Sequence, residues 1–110
     1  MAIIDRPQDY FNTVLYTGTG STNAITGVGF QPDWVWIKGR SVVAGHNLHD
    51  VVRGVNKQLY TNTTDAEETL TTLVTSFDSD GFSLGSNGNA NSNTNSFASW
   101  NWKAGGTASS

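Results

Sequence analysis

Apolar and polar positions alternate in short bursts along this chain, and no burst sustains the 3.6-residue period of a long amphipathic helix. Residues 11–17, FNTVLYT, alternate and are rich in β-branched and aromatic types, which predicts a strand. Two glycines in GTGST end it. NAITGVGF, residues 23–30, predicts a short strand with a Gly-x-Gly kink, and Pro32 and Asp33 punctuate the chain before WVWIKGR, the strongest strand signal present. Residues 41–56 carry Leu48, Val51, Val52 and Val55 at helix-like spacing, but Gly45 and Gly54 interrupt it, so a short strand or a helical turn fits. KQLYTN is a brief strand. TTDAEETL places Thr64, Asp65, Glu67 and Glu68 where a helix begins, or in a single turn of a loop. LVTSFDSDGFSLGS reads as a hairpin whose tip is Asp78-Ser-Asp-Gly81, with Gly81 supplying a positive φ. NGNANSNTN, Asn87–Asn95, reads as a long exposed polar loop, and SFASWNWKA closes the domain as a strand. About seven short strands separated by Gly, Asn and Asp turns predict an all-β chain with little helix. The architecture expected is one antiparallel β-sandwich over residues 11–104, flanked by an arm at 1–10 and a flexible linker at 105–110.

The pattern raises one question of direction. Alternate strand residues share a face, so Trp34 and Trp36 lie opposite Val35 and Ile37, and Trp100 and Trp102 lie opposite Ser99 and Asn101. If the two strands are neighbours, their indoles form a cross-strand cluster, each ring burying on the order of 200 Å². Because Trp100 and Trp102 oppose polar residues, the half-buried pattern points the four indoles inward, as the core that holds the sheets together. The other reading is a solvent-facing platform that stacks on sugar rings.

Composition narrows the classes. Charged residues make up 14% of the 110, and the net charge is −3. Six scattered Lys and Arg make no basic stripe, so no nucleic-acid partner is expected. No apolar run has membrane-spanning length, and the N-terminus lacks the apolar core of a signal peptide, so no membrane partner or Sec-type export is expected. The absence of cysteine excludes disulfides and thiolate metal sites.

Candidate chemistry is sparse. Asp78 and Asp80, with Asn87 near, are weak candidates for a calcium site, against an ordinary turn at a hairpin tip. His46, His49 and Asp50 lack an evident third metal ligand or a nucleophile. Asp50 and Arg53 are expected to form a buried structural pair, whose disruption would cost ~3–5 kcal/mol. Asp65, Glu67 and Glu68 are neighbours in one segment and do not face one another as glycosidase carboxylates must, so an acidic solvated loop is expected. No catalytic residues, cofactor or resident metal follow, and the chain is read as a non-enzyme.

Several segments together resemble a known family. YFNTVLYTGTGS…AITGVGFQPDWVWIKGR, then H-x-x-x-D-x-x-R-G at His46, Asp50, Arg53 and Gly54, then TSFDSDGFSLGS and WNWKAGG, resemble in order a domain of marine and freshwater bacteriophage tail-fibre and related virion proteins. The resemblance covers about residues 10–106, and this chain departs from it in the Asn-rich stretch Asn87–Asn95 and in His49 beside Asp50. It implies a lectin- or jelly-roll-like sandwich made in the bacterial cytoplasm and carried on the virion, contacting other virion proteins, commonly as a homotrimer. The expected function is therefore assembly and surface presentation on a phage appendage. The alternative is a carbohydrate-binding module for host-surface glycans, with ligand against loops 18–23, 41–47 and 86–96.

Overall fold

The computed structural model describes residues 10–103. Residues 1–9 of the expected arm and the expected linker at 105–110 lie outside the described residues. The chain forms β1 (Phe11–Thr17), β2 (Asn23–Ile25), β3 (Trp34–Gly39), β4 (Asn47–Asp50), β5 (Lys57–Tyr60), β6 (Glu68–Thr69), β7 (Val74–Asp78), β8 (Gly81–Leu84), the single helical turn α1 (Gly88–Asn91) and β9 (Ser96–Trp102). The strands make two antiparallel sheets, one ordered β1-β9-β3-β4-β5-β6 and one ordered β2-β8-β7. The all-β sandwich expected from the strand pattern is the fold observed, with sheets of unequal size.

Between the sheets lie Ile25, Val35, Ile37, Leu73, Val74, Phe82, Leu84, Ala90 and Phe97. Tyr16 stacks on Phe97 with ring centroids 5.4 Å apart and meets Phe82 edge-on at 6.2 Å. Its hydroxyl donates to the Ala90 carbonyl at 2.6 Å, and burial pushes the phenol well above its ordinary range.

The core is not uniformly apolar. Asn47, His49, Gln58, Ser99 and Asn101 are fully buried on the inner face of the large sheet. Backbone and side-chain groups satisfy much of their capacity, as buried polar atoms require. Ser99 donates to the Val14 carbonyl at 3.1 Å, Asn101 Nδ2 to the Asn12 carbonyl at 3.1 Å, and Gln58 Nε2 to Asn47 Oδ1 at 2.5 Å. His49 Nδ1 lies 2.8 Å from the Val55 carbonyl. A carbonyl only accepts, so Nδ1 carries the proton and Nε2 presents a lone pair to the interior.

Several local expectations are corrected. The four tryptophans are not among the core residues: each is half-buried on the far side of the large sheet, while Val35, Ile37, Ser99 and Asn101 point inward. Both faces of β3 are apolar, so either could have faced the core, and the short chains of Val35 and Ile37 fit the space beneath the three-stranded sheet. Pairing of Trp34 with Trp102 and of Trp36 with Trp100 then carries β9 into the same orientation.

The Asp50–Arg53 pair is not buried. Arg53 Nε lies 3.2 Å from Asp50 Oδ2 and Nη1 lies 2.8 Å from Glu67 Oε1, but the Arg53 side chain is 43% exposed. Asp50 instead fixes the turn after β4, accepting from the Arg53 backbone N–H at 2.7 Å. Segment 63–70 forms β6 and loop rather than a helix. Gly81 does not have positive φ; a Cβ there would run into the Ile25 carbonyl oxygen, so close strand approach is its reason.

Asn87–Asn95 is an organised segment rather than an exposed loop. Asn87 caps α1 by accepting from Asn89 N–H at 2.9 Å. Asn91 is fully buried. It accepts from Thr19 N–H and Asn23 Nδ2 and donates to the Ser21 and Gly85 carbonyls, tying three segments of chain together.

Candidate functional site

The outer face of the large sheet is built by register. Trp34, Trp36 and Lys38 alternate along β3 and pair with Trp102, Trp100 and Ala98 of β9. Those three pair in turn with Phe11, Thr13 and Leu15 of β1, while Trp36 pairs with Leu48 of β4 and Leu48 with Leu59 of β5. Directly paired residues share a face. The result is a continuous band of four indoles, Phe11, Leu15, Leu48 and Leu59 on the side of the sheet away from β2, β8 and β7, which no second layer covers among the described residues.

The rings contact one another across strands. Centroids lie 3.9 Å apart for Trp34–Trp102, 5.0 Å for Trp36–Trp100 and 4.9 Å for Phe11–Trp102, all with tilted planes. Mutual packing hides part of each ring and holds the rest in place. Trp36 Nε1 donates to Thr61 Oγ1 at 3.0 Å, which fixes that indole further. At the edge strand Phe11 is 38% and Leu15 58% exposed.

Two open clefts flank the band at opposite ends of β3. One, of about 500 Å³, is lined by Trp34 with Asp33, Asp50, Val51, Val52 and Arg53. The other, of about 440 Å³, lies where β3 ends and is lined by residues that include Lys38, Arg40, Ser41, His46 and Asn62. The His46 ring meets Trp36 edge-on at 6.4 Å and so joins this second cleft to the aromatic band.

The remaining candidates are occupied elsewhere. Asp80 accepts from Gly27 N–H at 3.0 Å and Gly29 N–H at 2.7 Å. Both glycines have positive φ, 87° and 92°, and curl the backbone into a nest around the carboxylate. Those two bonds hold its pKa below the usual carboxylate value. Asp78 accepts from Ser76 and Ser83 hydroxyls at 2.7 and 2.6 Å, so the two aspartates close the hairpin and bind its neighbours separately. His49 is interior while His46 is in the second cleft, and no group of three or more metal-ligating acids, histidines or cysteines occurs among the described residues. Glu67 pairs with Arg53, Asp65 accepts from the Thr63 hydroxyl, and Tyr60 donates to Glu68. The Glu68 carboxylate, with a smaller contribution from desolvation, pushes the Tyr60 hydroxyl up to about 12.

Of the loops expected to hold a ligand, 18–23 and 86–96 are bound to each other through Asn91, whereas Ser41, Val42, Val43, Ala44 and His46 of loop 41–47 line the second cleft. The Lys38–Arg40 pair and the Asn91 hub were missed from the sequence. The pair carried a usable signal, since it continues the alternation of Trp34 and Trp36; Asn91 carried none.

No curated protein and no solved structure matches the chain. One family model does, over residues 6–110, and the chain belongs to that family, Domain of unknown function (DUF7483).

Proposed function

We propose that this domain is a non-catalytic binding module that recognises host-surface carbohydrate through the outer face of its six-stranded sheet. The observation that supports this reading is the placement of all four tryptophans on the outer face of the large sheet, paired across strands and packed on one another. The C–H face of a pyranose is apolar and slightly positive, and it packs on the negative face of an aromatic ring. A rigid indole gives that contact at low entropic cost. The flanking clefts add two carboxylates, two guanidinium groups, an amide and a hydroxyl for the sugar's own hydroxyls. The carboxylates of segment 65–68 are engaged with neighbouring side chains, which agrees with binding rather than hydrolysis.

A virion appendage is the setting we infer, supported by the ordered resemblance of the segments around Trp34, Arg53, Gly81 and Trp102 to phage structural proteins. A glycan array probed with the intact chain and with Trp36→Ala and Trp100→Ala tests the reading. Binding that both substitutions abolish supports it; an array with no binder overturns it.

A second reading, assembly with other copies or other virion proteins, is favoured by Phe11 and Leu15 at the open edge of the same face. Its measurement is the solution mass by light scattering. A trimer that Leu15→Asp dissociates supports assembly through this face.

A further inference from the structure

The two clefts beside the aromatic band differ in charge, and the difference points to a ligand class. In the cleft beside Trp34, the Arg53 guanidinium is already held by Asp50 and Glu67. In the cleft at the end of β3, no carboxylate is among the lining residues. Neither Lys38 nor Arg40 forms an ion pair among the described residues. Lys38 reaches only the Gly39 carbonyl, at 3.3 Å. Two cations with no carboxylate partner among the described residues therefore face one cleft on a chain whose net charge is −3.

Their position follows from strand geometry. Lys38 is two residues beyond Trp36 and on the same face, pairing with Ala98. Arg40 is two residues further, and its backbone N–H still bonds the Ser96 carbonyl at 2.7 Å, so the ladder continues to it. Trp34, Trp36, Lys38 and Arg40 thus form a row of two indoles followed by two cations, with roughly 6.7 Å between successive members. A saccharide lying along β3 with one ring on Trp36 places its next substituents over the cationic end. The fork of Arg40 matches a carboxylate in a bidentate manner, and the Lys38 ammonium adds a point charge. Ser41 and Asn62 line the same cleft and can meet hydroxyls.

We propose that this cleft is an anion subsite and that the saccharide recognised is acidic, carrying a carboxylate on the ring next to the one stacked on Trp36. The proposal rests on the carbohydrate-binding reading and narrows it to a substrate class. Aromatic and cationic groups in one row also suit single-stranded nucleic acid. The saccharide is favoured because the cationic stretch is two residues long and cannot track a phosphate backbone.

The test is calorimetric titration of the intact chain with a panel of acidic oligosaccharides bearing uronate, sialate or sulfate. Each is compared with its neutral counterpart, carboxyl-reduced or desulfated, and with a single-stranded oligonucleotide. The expected result is at least tenfold tighter binding of a carboxylated oligosaccharide than of its reduced form, weakening as salt is raised. Lys38→Ala/Arg40→Ala removes that difference while leaving the melting temperature unchanged. Trp36→Ala removes binding of both forms. Equal affinity for acidic and neutral forms overturns the anion subsite and leaves the carbohydrate reading standing. Preference for sulfate overturns the carboxylate assignment. Oligonucleotide binding as tight as the best saccharide overturns the ligand class. Absence of binding across the whole panel overturns both the subsite and the carbohydrate reading.

Discussion

On one side of β9 stand Trp100 and Trp102, and on the other Ser99 and Asn101; the aromatic side faces out and the polar side faces in. The inner face holds its polar groups with hydrogen bonds and relies on Phe82, Phe97, Val35 and Ile37 for apolar burial. The outer face leaves large rings half in water, where they cover one another. The first arrangement serves stability, since each buried group has few places to go. The second leaves apolar area exposed among the described residues, and a contiguous exposed apolar patch is a common feature of binding surfaces.

Substitutions separate the two faces. Phe82→Ala should have the largest effect, about 4 kcal/mol, because a fully buried ring leaves a cavity between sheets. Urea denaturation measures it. Asn91→Ala should cost about 3 kcal/mol by removing four hydrogen bonds made by one fully buried side chain, read as a lower midpoint in the same experiment. Trp100→Ala should cost only about 2 kcal/mol, the worth of a half-buried ring and its contact with Trp36. If it costs as much as Phe82→Ala, the contrast between the faces fails.

A smaller effect depends on pH. Burial pushes the His49 imidazole below its ordinary 6.5, outweighing the Val55 carbonyl and Asp50, which act the other way. The unfolded chain therefore takes up a proton near pH 6.5 that the folded chain does not. The stability tied to neutral His49 is fully present above that pH and is lost as pH falls toward the folded value. Between about pH 6.5 and the carboxylate range near about 4.5, His49→Gln should flatten the decline seen by thermal melting. Arg53→Ala should have the least effect, under about 1 kcal/mol, since the Arg53 side chain that makes both ion pairs is 43% exposed. A loss of several kcal/mol would restore the buried-pair expectation.

The strands were readable because each signal was local. FNTVLYT, WVWIKGR, the hairpin around Asp78–Gly81 and SFASWNW all lie where the alternation put them. The direction in which each strand faces was not readable. β3 is apolar on both sides, so only its packing against Phe82 and Leu84 decides that Val35 and Ile37 go inward. Once β3 is set, β9 follows through its register, and two polar residues enter the core against their own pattern. Asn91 was hidden for a related reason. Its partners Thr19, Ser21 and Asn23 lie about seventy positions away, and an Asn-rich stretch looks the same whether it solvates or organises. The two cations of the proposed subsite were legible as a continuation of the Trp34–Trp36 alternation, but only a known outward face gives that continuation meaning.

The chain has four tryptophans, and all four are on the outer face, in two cross-strand pairs. The face thereby carries its own optical label. Indole emission reports the polarity around this surface and little else, and paired indoles at 3.9 and 5.0 Å couple their excited states, giving a circular dichroism couplet that depends on ring-to-ring geometry. A ligand or partner settling on the band changes both signals without any added dye, whereas an event confined to the core changes the couplet only by moving the strands.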